Sequence, residues 1–234
     1  MRKIELLLFL ALSFIQSVAA EERKQLDPWK PGWLEIHHIS TGRGNSIFCI
    51  FPDGTTLLID AGDMSALQPR VMSDRNCPIR PNNTKTAPQW IADYILSVYP
   101  LAKQGIDYAL ITHYHDDHFG EADSSRKLSP NGYLLTGITE VGSILPIHTL
   151  IDRGFDEPIS LFSQSFREKY PSEMQSLDNY RQFIAYQKSK GLQHEKFMVG
   201  SQTQIKQRST PQKYPAFVVQ NLFGGGKIWY GSGD

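Results

Sequence analysis

Thr112-His113-Tyr114-His115-Asp116-Asp117-His118-Phe119-Gly120 is the stretch on which the reading of this chain turns. Three histidines and two aspartates fall within six positions, in a sequence with 7 histidines among 234 residues. The spacing says more than the density. On the end of an extended strand, His113 and His115 point to one side. A turn after them returns Asp117 and His118 to the same point. Imidazole nitrogens and carboxylate oxygens are ligands for zinc and other first-row divalent metals. Packed together without a cation, the same groups would be costly to desolvate. Asp116, between ligand positions, is expected to face away, at the surface or behind a ligand, and Tyr114 to point into the fold. The competing reading is a solvated polar loop.

Immediately before this stretch, residues 107–112 form a short apolar run, read as a buried strand that delivers the chain into His113. Further upstream, residues 46–51 and 55–60 are apolar and β-branched and flank Pro52-Asp53-Gly54, a hairpin signal. That hairpin ends at Asp60-Ala61-Gly62-Asp63. Residues 33–39 read as another strand. Residues 89–98 predict a helix, with Pro88 suited to its first position and Trp90, Ile91, Tyr94, Ile95 and Val98 as its buried stripe.

Downstream, residues 138–145 predict a short helix and 147–151 a strand. Residues 153–200 read as a helical insertion, an excursion from the sheet. Its helix is expected to start at a Ser172/Gln175 capping box and to stop at Gly191. Residues 216–223 and 227–230 predict a hairpin across Gly224-Gly225-Gly226. Meandering strands with helices between them predict an α/β or α+β layered fold.

A chain with 40% hydrophobic and 21% charged residues can bury a full core as one domain. Twenty-four basic residues balance 24 acidic ones, which excludes a polybasic nucleic-acid arm and an acidic disordered tail. Long nucleic acid is therefore not favoured as a partner; a small molecule or short ester is. Two cysteines exclude a disulfide framework. Cys49 and Cys77 either pair in an oxidising compartment, or Cys49 is a buried free thiol.

Residues 1–20 have the three-part pattern of a secretory signal peptide: Arg2 and Lys3, an apolar run from Leu6, and Val18-Ala19-Ala20 before Glu21. The apolar run is short against the roughly 20 residues a bilayer needs. The expectation is an exported, periplasmic or extracellular soluble chain with no membrane segment after cleavage. Residues 21–32 would then be a linker and 33–234 the folded domain.

With these residues in view, His113-x-His115-x-Asp117-His118 resembles the HxHxDH signature of the metallo-β-lactamase superfamily. Residues 55–62 resemble its early strand ending in an Asp-x-Gly turn. Gly42-Arg43-Gly44-Asn45-Ser46 is similar to the stretch Gly-x-Gly, then Asp or Asn, then Ser or Thr, of the ComEC-like branch, and Tyr230-Gly231-Ser232-Gly233-Asp234 to the later strand that ends in a bridging aspartate. The resemblance implies a four-layer αββα sandwich with two divalent cations at the sheet edge, zinc ahead of manganese or iron. His113 and His115 would hold the first, Asp117 and His118 the second, and Asp234 both. Asp60 would orient a ligand imidazole.

A third histidine on the first cation would be His148, or alternatively His194. The family pattern continues past Asp234 with a last histidine, strands and helix, so the resemblance implies a C-terminally truncated sequence. The implied activity is hydrolysis by a hydroxide generated at the cations, with Asp117 moving the proton. The ComEC-like features favour a phosphoester. A lactone, β-lactam or other ester or amide, and a degenerate non-catalytic binding module, stand as alternatives. Arg43 and Asn45 either contact an anionic substrate or only shape the Gly-x-Gly turn.

Overall fold

Short strands assemble in chain order into one sheet. β1 (Glu35–His38), β2 (Ile47–Ile50) and β3 (Thr56–Ile59) form an antiparallel meander. β4 (Ile106–Leu110), β5 (Ile147–Asp152) and β6 (Gln193–Lys196) continue it, each parallel to the strand before. The result is a mixed six-stranded sheet in the order β1 to β6. The computed structural model describes residues 26–69, 71–73, 77–154 and 163–231. The expected signal peptide, residues 21–25 of the expected linker and Asp234 lie outside the described residues.

Parallel neighbours in sequential order need a crossover after each strand. Crossovers of the usual right hand, all in one direction, place their helices on one face. α1 (Ala87–Val98) links β3 to β4. α2 (Asp116–Phe119) and α3 (Gly137–Ile144) link β4 to β5. α4 (Gln164–Lys169) and α5 (Pro171–Lys188) link β5 to β6. Phe48, Ile50 and Leu58 meet Ile95, Val141 and Phe183 of these helices in the larger core. On the other face Cys49, Leu57, Tyr108 and Ile151 pack beneath Phe197, Ile205 and Phe217. A two-stranded hairpin, β7 (Phe223–Gly224) with β8 (Lys227–Ile228), follows. No helix among the described residues is long and apolar enough to cross a membrane.

Several local expectations change. α1 begins at Ala87, because the Thr86 hydroxyl accepts from the Gln89 N–H and the Gln89 side chain returns the bond; Pro88 is its second residue. α5 does not use the Ser172/Gln175 capping box. Pro171 takes the first helical position, which needs no N–H, and Ser172 turns its hydroxyl to Glu173 at 2.8 Å. The described part of residues 153–200 carries the crossover helix α5, whose Leu177, Tyr180 and Phe183 are core, and edge strand β6. Gln193-His194-Glu195-Lys196 has no apolar alternation, so its strand character was invisible locally.

Of residues 216–223 only Phe223 pairs as strand, together with Gly224 of the expected turn, while Phe217 and Val219 cover the sheet as unpaired chain. The expected linker also packs: Trp29 meets Tyr99 edge to face, with ring centroids 5.9 Å apart. Cys49 and Cys77 are both free thiols, the first buried and the second exposed.

Candidate metal centre

β3 and β4 run parallel with Ile59 opposite Leu110, so both deliver their C-terminal ends to the same edge. Asp60 follows the first and Thr112 and His113 the second. The chain turns after His115, which precedes the single turn of α2, and this brings Asp117 and His118 back as the spacing requires. The His113 ring centroid lies 3.8 Å from that of His118 and 4.6 Å from that of His115. Asp117 Oδ2 is 3.6 Å from His118 Nε2. His113, His115, Asp117 and His118 are thus brought together. Tyr114 is buried against Phe119 and Tyr180, as expected. Asp116 faces away, towards the Gln68 amide at 3.4 Å.

Backbone bonds hold three loops around the cluster. Asn45 N–H donates to the Asp117 carbonyl at 2.8 Å, Gly62 N–H to Asn45 at 2.9 Å, and Ala61 N–H to His118 at 2.8 Å. The approach is too close for side chains. A Cβ on Gly62 would lie 2.0 Å from the Asp117 oxygen, and one on Gly44 2.5 Å from it. Arg126 locks the outer side, its Nη1 donating to Asp63 Oδ2 at 2.6 Å.

Asp60 is buried and adopts φ 58, a left-handed conformation that Asp tolerates better than most residues. Its Oδ1 accepts from Thr112 N–H at 2.8 Å, and its Oδ2 accepts from the Thr112 hydroxyl at 2.8 Å. His118 Nδ1 lies 2.7 Å from the same Oδ2. A carboxylate only accepts, so His118 carries a proton on Nδ1, and in the neutral ring Nε2 is then the lone pair. The Thr112 hydroxyl has spent its one hydrogen on Asp60. It can then only accept from His113 Nδ1, 3.1 Å away, which leaves the His113 Nε2 as a lone pair too. Desolvation, and then the neighbouring His118 and His115, hold the His113 pKa below the ordinary imidazole value.

The remaining expected residues divide. Asn45 reaches the cluster, with Nδ2 3.5 Å from His118 Nε2. Arg43 does not: it is buried, and its guanidinium donates to the carbonyls of Cys77 at 3.1 Å and Gly42 at 3.3 Å. It serves the loop and not an anion. His148 is exposed near the N-terminal end of β5, beside Gly105. About five residues of strand, roughly 16 Å, separate that level from Thr112. It is no ligand of this cluster. His194 is held elsewhere, its Nε2 2.9 Å from buried Asp152.

Thr112 and the two clamping glycines are the contributors that the sequence reading missed. The threonine's one signal was its place directly before the first histidine; the glycines stood in turns whose role as a clamp the sequence did not show. As the side chains stand, no group of three or more His, Cys, Asp or Glu among the described residues is posed to hold a metal ion. No protein-family model, curated protein or solved structure matches this chain.

Proposed function

We propose that the chain is a metal-dependent hydrolase centred on His113, His115, Asp117 and His118, with a phosphoester as its substrate class. One observation carries the reading. The chain of bonds from Asp60 through Thr112 fixes two imidazoles in the Nδ1–H form, so that both Nε2 atoms are lone-pair donors in one cluster with a carboxylate. A buried carboxylate behind a histidine is how metal-ligating imidazoles are generally oriented. The donor set suits zinc or a similar divalent cation.

His113 and His115 would hold one cation, Asp117 and His118 the second, and Asp234 would serve both. Such cations, when bound, supply Lewis acidity and lower the pKa of water nearby. The residues' own tasks follow from their positions. Asp117, whose side chain is 43% exposed, can accept a proton from an attacking water and return it to the leaving oxygen. Asn45 can donate to a substrate oxygen. Cys49 has no part as a nucleophile, since burial pushes its thiol up to about 11.

The finer architecture we read is the four-layer αββα sandwich. The six-stranded sheet and its helices form one half, and residues 197–230 occupy the face where a second sheet would pack. Export through residues 1–20 completes the reading, and N-terminal sequencing of the secreted chain would locate the cleavage near Glu21.

The deciding experiment measures metal content by mass spectrometry and turnover of a chromogenic phosphodiester, a lactone and a β-lactam in parallel, with and without chelator. Two metal equivalents and chelator-sensitive phosphodiester turnover are expected. Turnover of the lactone or β-lactam alone would move the substrate class. A folded chain with neither metal nor turnover would overturn the reading in favour of a binding module.

A further inference from the structure

The sheet ends on two edges that differ in chemistry. Among the described residues, β1 and β6 each pair on one side only. β6 is Gln193-His194-Glu195-Lys196, polar throughout and carrying an acid and a lysine. Charges of this kind are how natural sheets keep an edge from pairing with another chain. β1 is Glu35-Ile36-His37-His38, with no lysine and no proline, and its unbroken register against β2 contains no bulge. Its one acid is engaged within the strand, Glu35 Oε2 lying 3.1 Å from His37 Nε2. Ile36 is 54% exposed, and Leu34, next in the alternation, is 48% exposed.

Backbone and side chains of this edge both follow the strand period. Ile39 N–H donates to the Ser46 carbonyl at 2.9 Å, so the odd-numbered residues of β1 turn their N–H and C=O groups to β2. Those of Ile36 and His38 therefore point outward, and Leu34 continues the row. Glu35 and His37 lie on the helix face of the sheet, where His37 meets Phe48 and Tyr94. Ile36 lies on the other face, opposite Cys49 of β2.

We propose that this edge is a self-association surface, on which β1 of a second copy pairs antiparallel about a two-fold axis through Ile36, normal to the sheet. Such an axis keeps the helices of both copies on one face, so odd positions oppose odd and even oppose even. Axes centred on Glu35, His37 or His38 obey the same rule, but they set carboxylate against carboxylate or imidazole against imidazole. The axis at Ile36 sets Glu35 opposite His37 in both directions, Ile36 on Ile36 and Leu34 on His38. It also bonds the outward N–H and C=O groups of residues 34, 36 and 38 in each strand. Glu35 and His37 then form non-hydrogen-bonded pairs, whose Cα atoms lie about 4.5 Å apart; opposite charges there stabilise a sheet and like charges destabilise it. The strand is complementary to itself in this register. The metal centre at the ends of β3 and β4 takes no part, so the proposal is independent of the hydrolase reading. So short an edge buries less than the roughly 1,200 Å² of a standard interface, and the dimer is expected to dissociate on dilution.

Sedimentation equilibrium of the full chain over a concentration series tests this, and a monomer–dimer equilibrium is expected. Ile36→Lys sets two ammonium groups on the axis. It should hold the chain monomeric across the series, with an unchanged circular dichroism spectrum because the position is exposed. Cross-linking in a Cys77→Ser background, which removes the exposed native thiol, reads the register. Ile36→Cys should form a disulfide-linked dimer on mild oxidation: a hydrogen-bonded pair holds its Cα atoms about 5.5 Å apart, inside the roughly 4.4–6.8 Å that a disulfide spans. Leu34→Cys should not, because about 13 Å of strand then separates the two thiols. A wild-type chain monomeric throughout, or cross-linking no better at 36 than at 34, would overturn the proposal. So would open-ended polymers, the product of β1 pairing with β6 of another copy.

Discussion

Asp60 shows how much of this site depends on a single side chain. Its carboxylate receives one backbone and one side-chain bond from Thr112 and faces His118 Nδ1 at 2.7 Å. Asparagine keeps the shape and tolerates the positive φ, but its amide presents a donor where an acceptor is needed. Asp60→Asn should therefore leave the fold intact and lower metal affinity or activity about 10–100-fold; metal titration with circular dichroism as the folding control checks both halves. Gly62 makes the complementary case. Gly62→Ala places a methyl 2.0 Å from the Asp117 carbonyl, between backbone segments that cannot rotate away. A loss of about 1–3 kcal/mol is expected in denaturant unfolding, together with loss of metal. The histidines and Asp117 could be named from spacing alone. The glycine clamp could not, because a Gly-x-Gly turn looks the same whether or not another chain segment lies against it.

At the scale of elements, the β2–β3 hairpin is tied to the far end of the chain by its own turn. Asp53 Oδ1 accepts from Thr55 N–H at 3.0 Å, and Oδ2 accepts from Ser209 N–H at 2.8 Å and Thr210 N–H at 3.0 Å. Burial acts to raise the Asp53 pKa, but these bonds outweigh it and hold the pKa below the ordinary carboxylate value. A depressed folded-state pKa means that the bonds stabilise fully above the unfolded value of about 3.9, and that this contribution fades as pH falls through the folded value. Asp53→Asn should cost about 1–3 kcal/mol at pH 7. The gap between wild type and variant should close in acid; urea unfolding at pH 7 and pH 3 measures it. Pro52-Asp53-Gly54 was legible as a turn. Its partners, more than 150 residues away, were not.

For the whole molecule, the centre draws on loops 42–46, 60–64 and 112–120, so an occupied centre would fasten three segments at once. At a free metal concentration 100 times Kd, binding stabilises by about 2.7 kcal/mol. For a chain of this size that corresponds to roughly 5–10 °C in thermal midpoint. Scanning calorimetry before and after chelator should show that drop, with recovery on adding zinc. An unchanged midpoint in a chain that does bind zinc would mean that the loops are held without it.

What the residues alone determined is local: strand and helix identity where hydrophobic period is strong, the turns marked by Asp-Gly and glycine runs, and the clustering of imidazoles and a carboxylate over residues 113–118. These depend on neighbours along the chain, which sequence displays. The tertiary structure decided the rest. Parallel register put Asp60 behind His118, and edge pairing made polar Gln193–Lys196 the sixth strand of the sheet. The level of β5 removed His148 from the site, and the turn of Arg43 towards Cys77 removed that cation. Each of these depends on which distant segment lies alongside, a choice made by packing and hydrogen bonding across the sheet and carried by no short stretch of residues.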